Sequence, residues 1–287
     1  MGEMQLVEVD EVRPAPEFYR ALEEGNILFF GRTPWQFARE DEEFLRGISQ
    51  TSSGYHKNIA YRPGPDRVSG FDPHSVSNPE RLRAVMRKIS EGVLGFLKNF
   101  VPRYMENCGL DYASFRGIEE EGRELPLKKR NDLLHTDAFP TRPTRGDLIL
   151  RTFANIHPSR PRVWLTSDPF ADVARQHATA AGWPGMTSWD GLKRLLTRRS
   201  AYDRFMLHFH DYLKANREYQ QNCPKYRWEF PPGSAWMVFT DVVPHAVLSG
   251  QYAVEQTVIV RREALLSPAC APIEILKTLA QLRWSGL

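Results

Sequence analysis

The sequence predicts an α+β fold whose core is a double-stranded β-helix, a cupin-like jelly roll, flanked by helices and carrying a helical insert. Short β-branched and aromatic runs separated by Pro and Gly dominate from about residue 125 onward. Helical spacing of apolar residues dominates before that point and returns within the core and at its end. We expect a single domain over residues 1–287, since 41% of the chain is hydrophobic and its length suits one large core.

In the first third of the chain, the sequence pattern predicts helices and irregular segments. Helices are expected at residues 16–25 and 39–49, with a short strand at 26–30 between them. Three prolines favour a loop over residues 61–79. A long amphipathic helix should follow, because apolar residues recur there at steps of three and four.

The remainder predicts a β core interrupted by helices. Strands are expected at residues 148–156, 162–166, 234–241 and 252–261. A helical insert should occupy about residues 168–221, where Tyr202, Phe205, Met206 and Phe209 fall on one helix face. An amphipathic helix over residues 272–284 should pack on the core, although a membrane surface is an alternative.

Charge, cysteine content and hydropathy exclude several classes of protein. A net charge of +3, from 38 basic and 35 acidic residues, does not indicate a dedicated nucleic-acid binder. The three cysteines are expected to be reduced thiols rather than a disulfide framework. No export signal is recognisable, and no apolar run reaches the roughly 20 residues of a membrane span. We therefore expect a cytoplasmic protein.

A metal site is predicted by the segment HTDAF and by a histidine far downstream. In an extended segment, His135 and Asp137 point to the same side and can reach one ion together. His245 follows a turn, a strand and a loop, which is the order that returns a distal histidine beside the first pair in a double-stranded β-helix. Two imidazoles and one carboxylate are the ligand set of Fe(II) oxygenases.

A competing metal motif, HFHD, lies within the predicted insert. His208 and His210 are about 200° apart around a helix, so both cannot bind one ion. We interpret this motif as part of an ordinary amphipathic helix.

An oxygenase with these ligands needs a group that binds the distal carboxylate of 2-oxoglutarate, and Arg provides a bidentate fork. Arg261 is the first choice, because it lies on the strand after His245. By strand alternation, Gln256 and Arg261 point to opposite faces, so one of them at most points inward. The remaining candidates for cofactor binding are Arg151, Asn155 and Arg162.

Basic residues flank the predicted metal site and favour an anionic substrate. Lys129 and Arg130 precede His135, and Arg142 follows it. These three are the candidates for substrate binding, although a solvated charged loop is an alternative for each.

Three sequence blocks, HTDAFP, RTFANIHPSRPRVW and SGQYAVEQT, give the chain a family resemblance. Together with their surroundings, they resemble the Kdo (3-deoxy-D-manno-oct-2-ulosonic acid) hydroxylases of Gram-negative bacteria, from the first third to the end of the chain. In that resemblance His135 and Asp137 match the proximal iron ligands, and His245 matches the distal one. The 2-oxoglutarate anchor has no equally secure match, which leaves Arg151 and Gln256 open beside Arg261.

The resemblance implies an Fe(II)- and 2-oxoglutarate-dependent dioxygenase that uses O2, with ascorbate supporting its activity. It implies hydroxylation at C3 of the outer Kdo sugar of Kdo-lipid A, with release of succinate and CO2. It also implies a cytoplasmic location, with possible peripheral contact at the inner membrane. The alternatives are the same chemistry on a protein side chain or small metabolite, and a non-catalytic β-barrel that binds acidic glycolipid. The oligomeric state is not predicted.

Overall fold

The computed structural model describes residues 5–49, 58–185 and 199–284. Within them, runs rich in β-branched and aromatic residues form two antiparallel sheets, and amphipathic segments form helices on the outside. The strands are β1 (Leu6–Glu8), β2 (Ile27–Phe30), β3 (Ile59–Arg62), β4 (Arg67–Ser69), β5 (Gly109–Arg116), β6 (Leu148–Asn155), β7 (Arg162–Thr166), β8 (Tyr226–Phe230), β9 (Ala235–Phe239), β10 (His245–Ser249) and β11 (Ala253–Val260). The helices are α1 (Pro16–Glu23), α2 (Arg39–Arg46), α3 (Pro79–Phe100), α4 (Pro102–Met105), α5 (Phe170–His177), α6 (Ala201–Ala215), α7 (Arg217–Asn222) and α8 (Pro272–Trp284).

The larger sheet has the strand order β1-β2-β9-β6-β11-β5-β3-β4, and the smaller has the order β10-β7-β8. Their pairings are antiparallel apart from the parallel pair β1–β2. In the centre of the larger sheet, Thr257 of β11 pairs with Arg151 of β6. In the smaller sheet, His245 pairs with Thr166. The two registers place the middle of β6 and the start of β10 at the site described below.

Strand alternation divides the larger sheet into two apolar faces. Phe153 packs with Trp164, Trp236 and Phe230 between the two sheets, and the Phe230 and Trp236 rings stack at 4.0 Å. Leu150, from the other side of β6, belongs to a separate cluster that α3 covers. Two facing antiparallel sheets with outer helices confirm the predicted α+β fold with a jelly-roll core.

The predicted start of the β core near residue 125 is too late. From the chain before residue 125, β2 pairs with β9 and β5 pairs with β11. The predicted loop at 61–79 also contains β4 and the end of β3, which form a hairpin. The predicted strand at 26–30 matches β2, whereas β3, β4 and β5 were not predicted.

Three helices, α5, α6 and α7, lie in the span of the predicted insert, of which residues 186–198 fall outside the described part. Helix α8 has the predicted bounds, and Leu276 on it is fully buried against α5 and α6. The three cysteines are free, as predicted. None of the described helices combines the length and apolar character required to span a bilayer.

Candidate metal centre

Backbone hydrogen bonds join the two segments that carry the predicted ligands. The His135 amide donates to the His245 carbonyl at 3.1 Å, and the His245 amide donates to the His135 carbonyl at 2.9 Å. The Asp137 amide donates to the Thr240 carbonyl at 2.9 Å. His135 thus forms an isolated bridge with β10 rather than belonging to a strand of its own. The extended backbone still places His135 and Asp137 on one side, as the sequence predicts.

The three predicted ligands converge. His135 Nε2 lies 4.0 Å from Asp137 Oδ1, and His245 Nε2 lies 4.0 Å from Asp137 Oδ2. One ligand atom from each residue falls within 4.8 Å of the others, so the three can hold one metal ion. Both histidines are buried, each with 5% of its surface exposed.

The hydrogen bonds of both imidazoles prepare them for a metal. Nδ1 of His135 donates to the Leu133 carbonyl at 2.7 Å, and Nδ1 of His245 donates to the Val243 carbonyl at 2.9 Å. Because a carbonyl only accepts, the proton is on Nδ1 and the lone pair of Nε2 faces Asp137. Burial lowers the pKa of both histidines, which keeps them neutral. This donor set fits Fe(II) with open positions.

A buried charge network continues from Asp137 into the core. Arg151 Nη2 lies 3.1 Å from Asp137 Oδ2, and Arg151 Nη1 lies 3.2 Å from Glu255 Oε1. Arg116 Nε donates to the other Glu255 oxygen at 2.9 Å. Burial would raise the pKa of Asp137, but the charge of Arg151 holds that pKa well below its usual range. Glu255 is held ionised in the same way by Arg116 and Arg151, with a pKa of about 2.

Arg162 is the most deeply buried of the predicted cofactor-binding arginines, with 1% of its surface exposed. Its Nη1 donates to the Gly250 carbonyl at 2.9 Å, while Nη2 remains 3.8 Å from Glu120. Within the described residues, its Nε and Nη2 have no hydrogen-bond partner. Burial and the charge of Arg116 lower the pKa of Arg162 to about 10. Unused donors on a buried guanidinium suit a carboxylate ligand.

The other cofactor candidates lie elsewhere. Arg261 follows the end of β11, and its half-exposed side chain pairs with Asp147 at 2.7 Å, so the first-choice assignment is not supported. Gln256 faces α3, where it accepts a hydrogen bond from Ser90 at 2.7 Å. It is Glu255, its neighbour in β11, that turns toward the metal ligands. Asn155 donates to the carbonyls of Arg160 and Phe230 at the far end of β6 and bridges that turn.

Of the three predicted substrate-binding cations, Arg142 lies near the metal ligands, and Arg130 and Lys129 have other surroundings. Arg142 lies between the rings of Phe139 and Tyr112, at 4.0 and 4.2 Å from their centroids, and pairs with Asp111. The Phe139 ring in turn lies against Arg151, 5.6 Å from its guanidinium carbon, so Arg142 is close to the metal ligands. Arg130 pairs with Asp132 two residues away, and Lys129 is exposed at the end of a 3₁₀ turn.

Sequence reasoning missed two further groups near the metal ligands. The His210 ring lies 4.7 Å from the His135 ring, and Lys214 follows one turn later on α6. The rejection of HFHD as a metal motif was consistent with helix geometry, but that geometry does not reveal contacts with another segment. Glu255 and its partner Arg116 were also missed. An acidic residue within the apolar run of β11 was the available signal for Glu255.

Comparisons with known proteins agree with this geometry. A family model described as 3-deoxy-D-manno-oct-2-ulosonic acid (Kdo) hydroxylase matches residues 7–283. The apo structure of the Kdo hydroxylase KdoO, a non-heme Fe(II) alphaketoglutarate-dependent dioxygenase, is 33% identical, with a TM-score of 0.82 over 96% of each chain. Structures of KdoO with alphaketoglutarate and Fe(III), and with succinate and Fe(III), are each 32% identical over 96% of each chain, with TM-scores of 0.82 and 0.81. A search of curated protein sequences found no match.

Proposed function

This chain belongs to the Kdo hydroxylase family, and from that membership we propose that it is an Fe(II)/2-oxoglutarate-dependent dioxygenase acting on Kdo. The reaction proposed is hydroxylation of C3 in the outer Kdo sugar of Kdo-lipid A, with release of succinate and CO2. The observation that carries the proposal is the convergence of His135, Asp137 and His245, with both Nε2 lone pairs facing the carboxylate.

We propose that these three residues are the iron ligands. Iron, 2-oxoglutarate and O2 together supply the oxidising chemistry of the reaction. The protein contributes a fixed arrangement of ligands in a buried site. Leu133 and Val243 orient the imidazoles through their carbonyls, and Arg151 orients the carboxylate of Asp137.

We propose Arg162 as the anchor for the distal carboxylate of 2-oxoglutarate. Its side chain lies on the same face of β7 as Trp164, whose ring stacks on that of His245 at 5.2 Å. The unused Nε and Nη2 donors of Arg162 can bind a carboxylate. Because the carboxylate is an anion, its binding also lowers the cost of burying the Arg162 charge. Arg151 is less suited to this role, because Asp137 and Glu255 already use its guanidinium.

We propose that the anionic glycolipid reaches the metal site beside Arg142. Of the predicted substrate-binding cations, Arg142 is the one linked to Arg151, through the Phe139 ring between them. A cytoplasmic location and peripheral contact with the inner membrane belong to this proposal. Leu282 near the end of α8 is 64% exposed and is an apolar side chain available for such contact.

The test is mass spectrometry of Kdo-lipid A after incubation with the protein, Fe(II), ascorbate and 2-oxoglutarate. The wild-type protein should add one oxygen to the outer sugar, and the Asp137→Ala variant should add none. His208→Ala is the matched control, since this exposed histidine of α6 should leave the reaction unchanged.

Two results would contradict the proposal. Succinate formation stimulated by a protein or a small metabolite, but not by Kdo-lipid A, would assign the same chemistry to another substrate. Glycolipid binding without any succinate, in the presence of iron and O2, would indicate a non-catalytic binding protein.

A further inference from the structure

Helix α6 presents two side chains toward the metal ligands. Nδ1 of His210 donates to the Thr136 carbonyl at 2.8 Å, which holds its ring against that of His135. Lys214 lies four residues later and therefore on the same face of the helix. With 4% of its surface exposed, Lys214 is almost completely buried.

The ammonium group of Lys214 has an incomplete set of partners. It donates to the Lys128 carbonyl at 3.2 Å, and no carboxylate in the described residues lies within ion-pairing distance of it. The nearby buried arginines differ, because Arg151 and Arg116 are both paired with Glu255. Burial lowers the pKa of Lys214 to about 8, and it outweighs Asp137, Asp211 and Asp132, which act on Lys214 only from beyond ion-pairing distance.

A purely structural role does not account for this burial. A cation in the last turn of a helix is stabilised by the helix dipole, but it can remain in water while doing so. Lys98, in the last turn of α3, is exposed in this way.

Gln220 of α7 fixes the position of Lys214 relative to the metal ligands. Its side-chain nitrogen donates to the carbonyls of Leu134 and Leu213 at 2.9 and 2.8 Å, and its oxygen accepts from the Leu134 amide at 3.0 Å. These bonds join the residue before His135 to the residue before Lys214. The backbone of α6 at Lys214 is thus held in place relative to the metal site, and the bond to the Lys128 carbonyl positions the ammonium group.

We infer that Lys214 forms an ion pair with the carboxylate of the acidic sugar and thereby orients its C3 toward the metal. This inference rests on the proposed function. In a 3-deoxy-2-ulosonic acid, only C2 separates C3 from the carboxyl carbon. Any residue that binds the carboxylate during C3 hydroxylation must therefore lie beside the metal ligands, as Lys214 does one helical turn after His210, whose ring contacts that of His135.

The test compares Lys214→Gln with wild type on a Kdo glycoside and on its carboxyl methyl ester. Glutamine keeps a hydrogen-bond donor for Lys128 but removes the charge. On the free acid, the variant should raise KM by about 10- to 100-fold, the range expected for one charged hydrogen bond. On the ester, the two proteins should have the same KM within about twofold, because the partner of Lys214 is missing. Lys98→Gln is the matched control and should behave as wild type on both substrates.

A carboxylate of 2-oxoglutarate is the other source of the same chemistry. Titration of 2-oxoglutarate into the Co(II)-loaded proteins separates the two sources, and equal Kd values for wild type and Lys214→Gln are expected. A raised Kd for 2-oxoglutarate with an unchanged KM for the sugar would overturn the inference. So would an equal loss of activity on acid and ester. If Lys214→Gln does not fold, Lys214→Arg is measured instead and should prefer the acid over the ester, as wild type does. An Arg variant without that preference would count against the inference.

The proposed function can fail separately. Wild type that hydroxylates neither of these substrates nor Kdo-lipid A would refute the function itself. Wild type that hydroxylates the acid, with Lys214→Gln equal to it, would refute only the role of Lys214.

Discussion

Replacing Arg151 by glutamine is expected to destabilise the metal-free protein strongly. Arg151 and Arg116 balance the two buried carboxylates of Asp137 and Glu255. Without Arg151, two carboxylates share one guanidinium, and the network has a net charge of −1. Removing one partner of a buried ion pair costs about 3–5 kcal/mol. At roughly 2–4 °C per kcal/mol for a protein of this size class, Tm should fall by roughly 6–20 °C.

The measurement is urea unfolding and thermal denaturation in EDTA at neutral pH. The control is Arg227→Gln, which removes an exposed ion pair with Glu229 and should cost at most about 1 kcal/mol. An Arg151→Gln variant as stable as this control would refute the reasoning, because the carboxylates would then have to be compensated by water or by protonation.

Three further predictions follow from single residues. Arg261→Ala should leave the Kd for 2-oxoglutarate unchanged in a titration of the Co(II) protein, because its side chain pairs at the surface; a large increase would restore it as the anchor. Burial raises the pKa of Asp241 from 3.8 to about 7, so the folded protein retains a proton there that the unfolded chain loses. Metal-free stability should therefore fall as pH rises from about 3.8 to about 7 and level off above that, and Asp241→Asn should flatten that decline in a Tm-versus-pH series; an unchanged slope would contradict it. Gly250→Ala should cost about 2 kcal/mol and weaken 2-oxoglutarate binding, because φ is +124° and the new Cβ would lie 2.7 Å from Arg162 Cγ; wild-type Tm and Kd would exclude this.

The sequence alone predicted the placement of residues whose surroundings are formed by neighbours in the chain. His135 and Asp137 are two residues apart in an extended segment, so their common direction follows from backbone geometry alone. The turn before β9 was also predictable, since Gly233 has a φ of +75°. His245 could be predicted because the order of turn, strand and loop before it is specific.

Residues whose position depends on tertiary contacts were not predictable in this way. Arg261 was assigned because it was expected on the strand after His245, but that strand, β11, ends at Val260. His210 meets His135 only because α6 packs across the barrel, which helical periodicity does not indicate. The partners of Arg151 likewise depend on tertiary contacts, because Asp137 lies outside the strands and Glu255 lies in β11. The sequence made Arg151 a candidate without showing that Asp137 and Glu255 already surround it.

The reciprocal amide bonds between His135 and His245 have a consequence for how the protein matures. The complete ligand set exists only after two segments that are far apart in the sequence have paired, and closing so long a loop is entropically unfavourable and slow. Of this ligand set, a nascent or denatured polypeptide offers a divalent ion at most the nearby pair His135 and Asp137. Tight metal binding therefore requires the folded barrel, and the free energy of metal coordination stabilises the folded state over the unfolded one.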